Sequence, residues 1–449
     1  MGHAQSKPTN PIILGGHKVR GIQLPGQSGK TRKMEEKIAQ FRKVTRANHC
    51  EDDINIMITS NNKLLVEQTS NRLDSDLGPS EDSSSIDTND ETDDDEVILS
   101  NGASTWTSSD PKSTDPKALF AEIMMEELDM IVCCANGRRF KKIVDLVTML
   151  EKCPKFTSKI NIWIDEAHKS VKLWKKYIFE EESKFPRVLE FKKVYSVILV
   201  TASWDPIDKY FQVHRYTYKM THPEVYRSLR ECNWKLVEPY ENDEDDISVD
   251  ESSPFDMSNT APGYLKQILN DPILGKRINT PGTHWLIPGN SRTATHDAIE
   301  EYLLDLGWNG LKLNGKEKAL VFHVDGIRID YTQYNKKKQE PKDVLAKLFS
   351  EYPSLQEKPF FVTGLNCIKE GITFQGEGFM FNGAVIPPMS SPSDAYQLAC
   401  RLAGNLKSLS IYKAYETPLI ITTARMQKKI LRQENINIFL PRILYEEGR

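Results

Sequence analysis

Residues 161–168, Asn-Ile-Trp-Ile-Asp-Glu-Ala-His, constrain this chain more than any other stretch. Ile162, Trp163 and Ile164 make a short continuous apolar run, the pattern of a strand buried on both faces, as in a parallel sheet. Two adjacent carboxylates, Asp165 and Glu166, follow where that strand would end. Ligand chemistry in open α/β sheets collects at the carboxyl ends of strands. There one carboxylate can hold Mg²⁺, usually through water, while its neighbour polarises a water that attacks a γ-phosphate. Asp165 is the expected metal-holding residue and Glu166 the expected base. A solvated strand end has the same local pattern, so the remaining motifs must decide.

At 449 residues the chain is too long for one hydrophobic core and should hold two or three domains. No apolar run approaches the roughly 18 residues of a membrane span, and no apolar leader opens the chain, so a cytoplasmic or nuclear protein is expected. The seven cysteines are scattered, odd in number and never spaced as C-x-x-C, which argues against a disulfide framework or a zinc site. The formal charge of −4 hides an asymmetry. Residues 74–96 carry eleven carboxylates and residues 241–251 carry seven, with no Lys or Arg in either run. The rest of the chain is therefore basic on balance, as suits a polyanion-binding protein, although a Lys-rich solvated surface gives the same excess.

The chain opens with Met1-Gly2-His3-Ala4-Gln5-Ser6, which fits the N-myristoylation pattern; an ordinary flexible start is the competing reading. Lys18 to Leu24 reads as a strand. Pro25-Gly26-Gln27-Ser28-Gly29-Lys30-Thr31 then leads into a helical pattern from Arg32 to Phe41, giving strand, glycine-rich loop and helix in the order of a phosphate-binding loop. Small residues let backbone N–H groups close on phosphates, Lys30 reaches the β- and γ-phosphates, and the Thr31 hydroxyl can ligate Mg²⁺. Leu24 stands where this loop pattern has its first glycine, and Gly26 supplies one nearer the lysine. Ile54 to Thr59 reads as a strand and Lys63 to Arg72 as a helix, and residues 74–115, poor in apolar groups, read as a mobile acidic insertion. Strands at 129–134 and 195–200 and a helix through Leu150 follow, so strands alternate with helices, as in a mainly parallel sheet.

The acidic run from Glu241 marks a linker to a second alternating series. It predicts strands at 284–287, 310–313, 360–363, 378–386 and 418–422, with helices at 293–306, 343–352 and 393–406. The domains are therefore expected at 1–240 and 261–449.

Phosphate loop, Asp-Glu strand end, Thr201-Ala202-Ser203 strand end and a second α/β half, in this order, resemble the superfamily 2 helicases and translocases over nearly the whole chain. The resemblance implies two tandem RecA-like domains, each a mainly parallel sheet flanked by helices, with ATP in the cleft between them. It implies that Gly26 to Thr31 bind nucleotide, that Thr59 and Gln68 stand in motif Ia, Asp165 to His168 in motif II, and Thr201 with Ser203 in the coupling motif III. Thr363 to Thr373, with Gly371 at the nucleotide, resembles motif V, and Gln397 to Gly404 resembles motif VI. Arg401 is then the arginine finger that meets charge developing on the transferring phosphoryl, and Gln397, one helical turn earlier, would share its face. Gly404 replaces the second arginine common in motif VI, Cys400 its glycine, and motif V lacks its usual Arg-Gly-Asp-like ending. No Gln-containing adenine-reading motif precedes Lys30. The shortened motifs most resemble helicases of large DNA viruses or phages, which adds a virus factory or virion to the expected locations.

Nucleic acid is expected to cross the strand ends of both halves, on Thr59, Asn61, Asn62, Asn136, Arg138 and Arg139 in the first and Asn290, Ser291, Arg292 and Thr363 in the second. Such hydroxyls, amides and guanidiniums hold phosphates and leave sequence unread. Two readings remain open: an ATP-dependent helicase or translocase on DNA or RNA, and a helicase-derived nucleic-acid-binding or genome-associated protein with weak turnover or none.

Overall fold

A computed structural model describes residues 12–13, 18–23, 34, 36–38, 53–59, 66, 104–107, 115–125, 128–179, 188–202, 204–213, 215–217, 223–240, 260–290, 292–313, 321–330, 340–365, 368 and 373–446. These residues divide into two compact units, one reaching Tyr216 and the other beginning at Thr217.

The strands of the first unit are β1 (Ile12–Ile13), β2 (Val19–Gln23), β3 (Ile54–Thr59), β4 (Ser104–Thr107), β5 (Leu128–Cys134), β6 (Ile160–Ile164), β7 (Val194–Thr201), β8 (Phe211–Gln212) and β9 (Arg215–Thr217). Seven of them form one sheet in the order β4-β5-β3-β6-β7-β2-β9, and β1 pairs with β8 apart from it. The pairings β4/β5, β5/β3, β3/β6, β6/β7 and β7/β2 are parallel. Every residue of β3, β5 and β6 is buried, because helices cover both faces of such a sheet.

Polar pairs inside this apolar slab pin its register. Asn161 Oδ1 accepts from Ser196 Oγ at 2.6 Å, and Trp163 Nε1 donates to Asn55 Oδ1 at 3.2 Å. A one-residue slip would strand each of these groups unbonded in the core, at roughly 1–3 kcal/mol apiece. The helix Gly137–Lys152 lies on the sheet through Phe140, Ile143, Val144, Val147 and Leu150, apolar positions recurring every three or four residues. Asn136 caps it by accepting from Arg139 N at 3.0 Å. At residue 21 two elements touch so closely that only glycine fits: a Cβ there would lie 2.3 Å from the buried indole of Trp204.

Two expectations need correction in this unit. Ser104–Thr107 lies inside the stretch 74–115 expected to be a mobile insertion, yet it is the edge strand β4, and Asp115 caps the helix Pro116–Met124. Ser-Thr-Trp-Thr carries too little apolar periodicity to announce a strand; β4 exists because β5 offers it a free edge. The unit boundary also falls earlier than residue 240. Asn233–Leu236 forms strand β10 and pairs with a strand of the second unit, although the run is short and only Trp234 in it is even half-buried.

The second unit adds β11 (His284–Leu286), β12 (Asn309–Leu313), β13 (Val321–Val324), β14 (Ile327–Asp330), β15 (Phe360–Gly364), β16 (Gly383–Val385) and β17 (Leu419–Thr422). The sheet order is β10-β17-β16-β11-β15-β12-β13-β14. Its pairings from β10 to β12 are parallel, and β13 and β14 extend it as an antiparallel hairpin. The hairpin turns on Asp325 and Gly326, both at positive φ, the chemistry of a tight two-residue turn. The strand expected over 378–386 is confined to Gly383–Val385, and the helix expected over 393–406 stops at Ala399. The long helix Ala424–Glu446 packs on the helix Pro392–Ala399. Among the described residues no helix is long and apolar enough to cross a membrane.

His284 sits fully buried among aromatic rings, stacked on Phe379 at 4.6 Å, with Nδ1 2.8 Å from Met380 O. Burial without a carboxylate partner pushes its pKa down to about 4 from an ordinary 6.5. The unfolded chain therefore takes up this proton at a higher pH than the folded chain does.

Two measurements test the packing. Gly21→Ala should destabilise the first unit by about 1–3 kcal/mol in chemical denaturation, since the indole must move. The contribution of His284 should be complete above the ordinary value of 6.5 and fall away as pH drops toward about 4. His284→Gln should flatten the pH dependence of the second unit's unfolding across that window; an unchanged slope would show that another group carries it.

Candidate nucleotide site and nucleic-acid surface

The register of three neighbouring strands builds the site. Gln23, the last residue of β2, pairs with Thr201, the last of β7, and on the other side of β7 Ile164 of β6 pairs with Leu199. The segment after Gln23, the Asp165-Glu166 turn and the Thr201-Ala202 end thus leave one edge of one sheet side by side. The glycine-rich loop itself, with Gly26, Gln27, Ser28, Gly29, Lys30 and Thr31, lies outside the described residues, as do Asn61, Asn62, Gln68, Ser203, Ser291 and Gly371. Just beyond the loop, Met34 and Ile38, one helical turn apart, are buried, as the expected helix requires.

The carboxylate turn is fixed from several directions. Asp165 N donates to Ile58 O at 2.8 Å and Ala167 N to Val200 O at 3.0 Å, tying the turn to the strands on both sides of β6. Asp165 Oδ1 accepts from Glu166 N at 2.9 Å, and Trp174 Nε1 donates to Ala167 O at 2.8 Å. Glu166 adopts φ +47°, a left-handed conformation that costs a non-glycine residue of order 1 kcal/mol and persists only where its surroundings impose it. Both carboxylates are buried, Asp165 at 1% and Glu166 at 5% exposure. His168 Nδ1 lies 3.4 Å from Glu166 Oε2 and 2.7 Å from Thr201 Oγ1, so one imidazole nitrogen joins the carboxylate turn to the end of β7.

Among the described residues no group of three or more His, Cys, Asp or Glu could hold a metal ion. Mg²⁺ is held by one or two protein oxygens and completes its shell with water and phosphate. Asp165, a buried carboxylate at the strand edge, fits that demand.

The expected nucleic-acid contacts separate into two groups. Arg138 and Arg292 are exposed and present cations after β5 and β11, whereas Arg139 is half-buried, with its Nη1 shielded from solvent. Thr59 is fully buried and donates to Cys133 O at 3.4 Å, and Thr363 is fully buried within β15; neither offers its hydroxyl at a surface. Asn136 and Asn290 hold local turns. Asn136 caps its helix, and Asn290 Oδ1 accepts from Arg292 N at 2.7 Å and Thr295 Oγ1 at 3.0 Å. Residue type at a strand end does not say which way a short side chain points, and in these four the sheet or the turn claims it.

In the second unit Gln397 and Arg401 do not share one α-helix as expected. The helix ends at Ala399, and Cys400–Leu402 continue as a 3-10 turn bearing Arg401, which is 5% exposed. Gly404 lies at φ +123°, where only glycine is at ease, and exchanges two backbone hydrogen bonds with Arg227, at 2.7 and 3.0 Å. An arginine at 404 would be strained in this conformation. Sequence reasoning missed Arg227, which sits in no motif and no periodic run.

No family model matches the chain, and no curated protein matches it. Among solved structures it is similar to S. cerevisiae Dbp5 bound to RNA and ADP BeF3, at 11% identity over 94% of this chain and 83% of that one, with a TM-score of 0.45. It is similar to the DEAD-box helicase Mss116 bound to ssRNA and UDP-BeF, at 10% identity over 92% of this chain and 67% of that one, with a TM-score of 0.45. A third likeness is to the Pyrococcus furiosus Hef helicase domain, at 11% identity over 92% of this chain and 95% of that one, with a TM-score of 0.41. None of the three is described as viral or phage, so that part of the resemblance gains no support. At such identities and scores the functional reading rests on this chain's own residues.

The exposure pattern makes the nucleic-acid contacts expected from the sequence testable. Arg138→Ala and Arg292→Ala should each lower affinity for single strands evenly across sequences and reduce the salt slope by about one ion, whereas Thr363→Val should leave both unchanged. Filter binding at several salt concentrations checks this; a Thr363→Val effect as large as that of Arg138→Ala would contradict the burial argument.

Proposed function

We propose that this chain is a nucleic-acid-dependent ATP hydrolase that moves along DNA or RNA. The observation that carries this reading is the shared edge of β2, β7 and β6, from which the phosphate-loop sequence, the Thr201 end and the Asp165-Glu166 turn emerge together. Lys30 and the loop amides are assigned to the phosphates and Glu166 to the attacking water. Asp165 and Thr31 would hold Mg²⁺, which when bound neutralises charge on the β- and γ-phosphates.

In this scheme Glu166 accepts the proton of the water as its oxygen bonds to the γ-phosphorus and the bond to ADP breaks. The turn geometry suits a base: Glu166 cannot relax away while its neighbours hold Asp165 and Ala167 to flanking strands. His168, between Glu166 and Thr201, is the proposed link by which a change at the phosphate reaches the end of β7. Arg401, on the second unit, is assigned to the charge that develops on the transferring phosphoryl, and Gln397 to its support. Arg138, Arg139 and Arg292 are assigned to nucleic-acid phosphates.

One observation favours the second reading, a nucleic-acid-binding protein with little turnover. Gly404 stands where motif VI commonly has a second arginine, and its backbone conformation disfavours one. The deciding experiment is ATP hydrolysis with and without single-stranded DNA, single-stranded RNA and duplex. Glu166→Gln should keep ATP binding and lose hydrolysis by about 10²–10⁴-fold, while Lys30→Ala should weaken binding itself. Stimulated hydrolysis in the parent that survives Glu166→Gln would remove the assigned base, and a parent that binds nucleic acid without hydrolysing ATP would establish the second reading.

A further inference from the structure

The turn that carries Arg401 is held by a second buried arginine. Arg227 is 3% exposed; its Nε donates to Leu402 O at 2.7 Å, its Nη2 reaches Gln375 Oε1 at 3.5 Å, and its guanidinium lies 5.6 Å from the Tyr412 ring. Gln375, also buried, donates through Nε2 to Arg401 O and accepts from Phe381 N at 3.0 Å. The consecutive carbonyls of Arg401 and Leu402 thus receive one side-chain donor each, from two residues bonded to one another. Where an α-helix gives way to a 3-10 turn, carbonyls lose their helical partners and the hydrogen bonding is poorer, so such a turn frays unless outside groups close it.

The backbone around Arg227 secures the same turn. The two hydrogen bonds between Arg227 and Gly404 are followed by Lys407 N donating to Val225 O at 3.0 Å and Lys407 Nζ pairing with Glu231 at 2.7 Å. The other side of this segment is anchored by Glu434 of the C-terminal helix, which accepts from Leu229 N at 2.7 Å and Ser228 Oγ at 3.1 Å. Burying a guanidinium is expensive, and Arg227 satisfies its Nε on a carbonyl of the Arg401 turn rather than on a carboxylate.

We infer that Arg227 and Gln375 are positioning residues for Arg401: they fix the backbone of the 400–404 turn, and so the direction of the Arg401 side chain, without touching nucleotide themselves. This rests on the assignment of Arg401 to the transferring phosphoryl. Gly404 belongs to the same device, since its unusual φ permits the bridge to Arg227.

The test uses the full chain and nucleic-acid-stimulated ATP hydrolysis, with kcat and KM measured separately. Arg401→Ala is read first; if it hydrolyses like the parent, the role assumed for Arg401 falls and this inference with it. Otherwise Arg227→Met should lower kcat by about 10–100-fold, as expected when a reacting group is misplaced by an ångström or so, with KM for ATP little changed. Arg227→Lys, which keeps the charge and can reach one acceptor but not bridge two, should recover part of the loss. The double variant Arg227→Met with Arg401→Ala should be no slower than Arg401→Ala alone, because a positioning residue has nothing left to position. A parent-like kcat in Arg227→Met, or the same loss in both backgrounds, overturns the inference while leaving the Arg401 assignment standing. If Arg227→Met does not fold, Arg227→Lys alone and in the Arg401→Ala background is judged by the same two criteria.

Discussion

Parallel pairing of β6 with β7 and of β7 with β2 is the constraint on which the first unit's proposed chemistry depends. Parallel strands all end at the same edge, and connections must cross back over the sheet before the next strand begins. Groups that follow strands far apart in sequence are therefore delivered to one place: the segment after Gln23, the carboxylates after Ile164 and the hydroxyl of Thr201. Register decides the rest. The Asn161–Ser196 and Trp163–Asn55 pairs fix it inside an otherwise apolar slab, where slipping would leave polar groups unbonded.

Strain and burial mark the same spot. Glu166 holds a positive φ at the end of β6, and in β2 Gly21 lies too close to the Trp204 indole for a side chain of its own. His168 places one nitrogen within reach of both Glu166 and Thr201, the contact proposed above as the link between them. In the second unit the arginine turn is organised by different means. A 3-10 segment cannot hold itself, and the direction of Arg401 is set by Gln375, Arg227 and the conformation of Gly404.

The sequence by itself determined the two α/β units and most of their interior strands, because strands buried on both faces must read as short apolar runs and the helices between them as periodic ones. It also determined where chemistry could lie, since Asp165-Glu166 directly after Ile162 to Ile164 has only a strand edge to occupy. The tertiary structure alone decided the elements whose existence is lent by a neighbour: β4 with its Ser-Thr-Trp-Thr and β10 with its exposed face. It alone separated exposed Arg138 and Arg292 from buried Thr59 and Thr363, because side-chain direction at a strand end follows from packing rather than residue type. And it alone brought Arg227 to a turn 175 residues later in the chain, a contact between the Leu402 carbonyl and a distant guanidinium that leaves no periodicity or spacing to read.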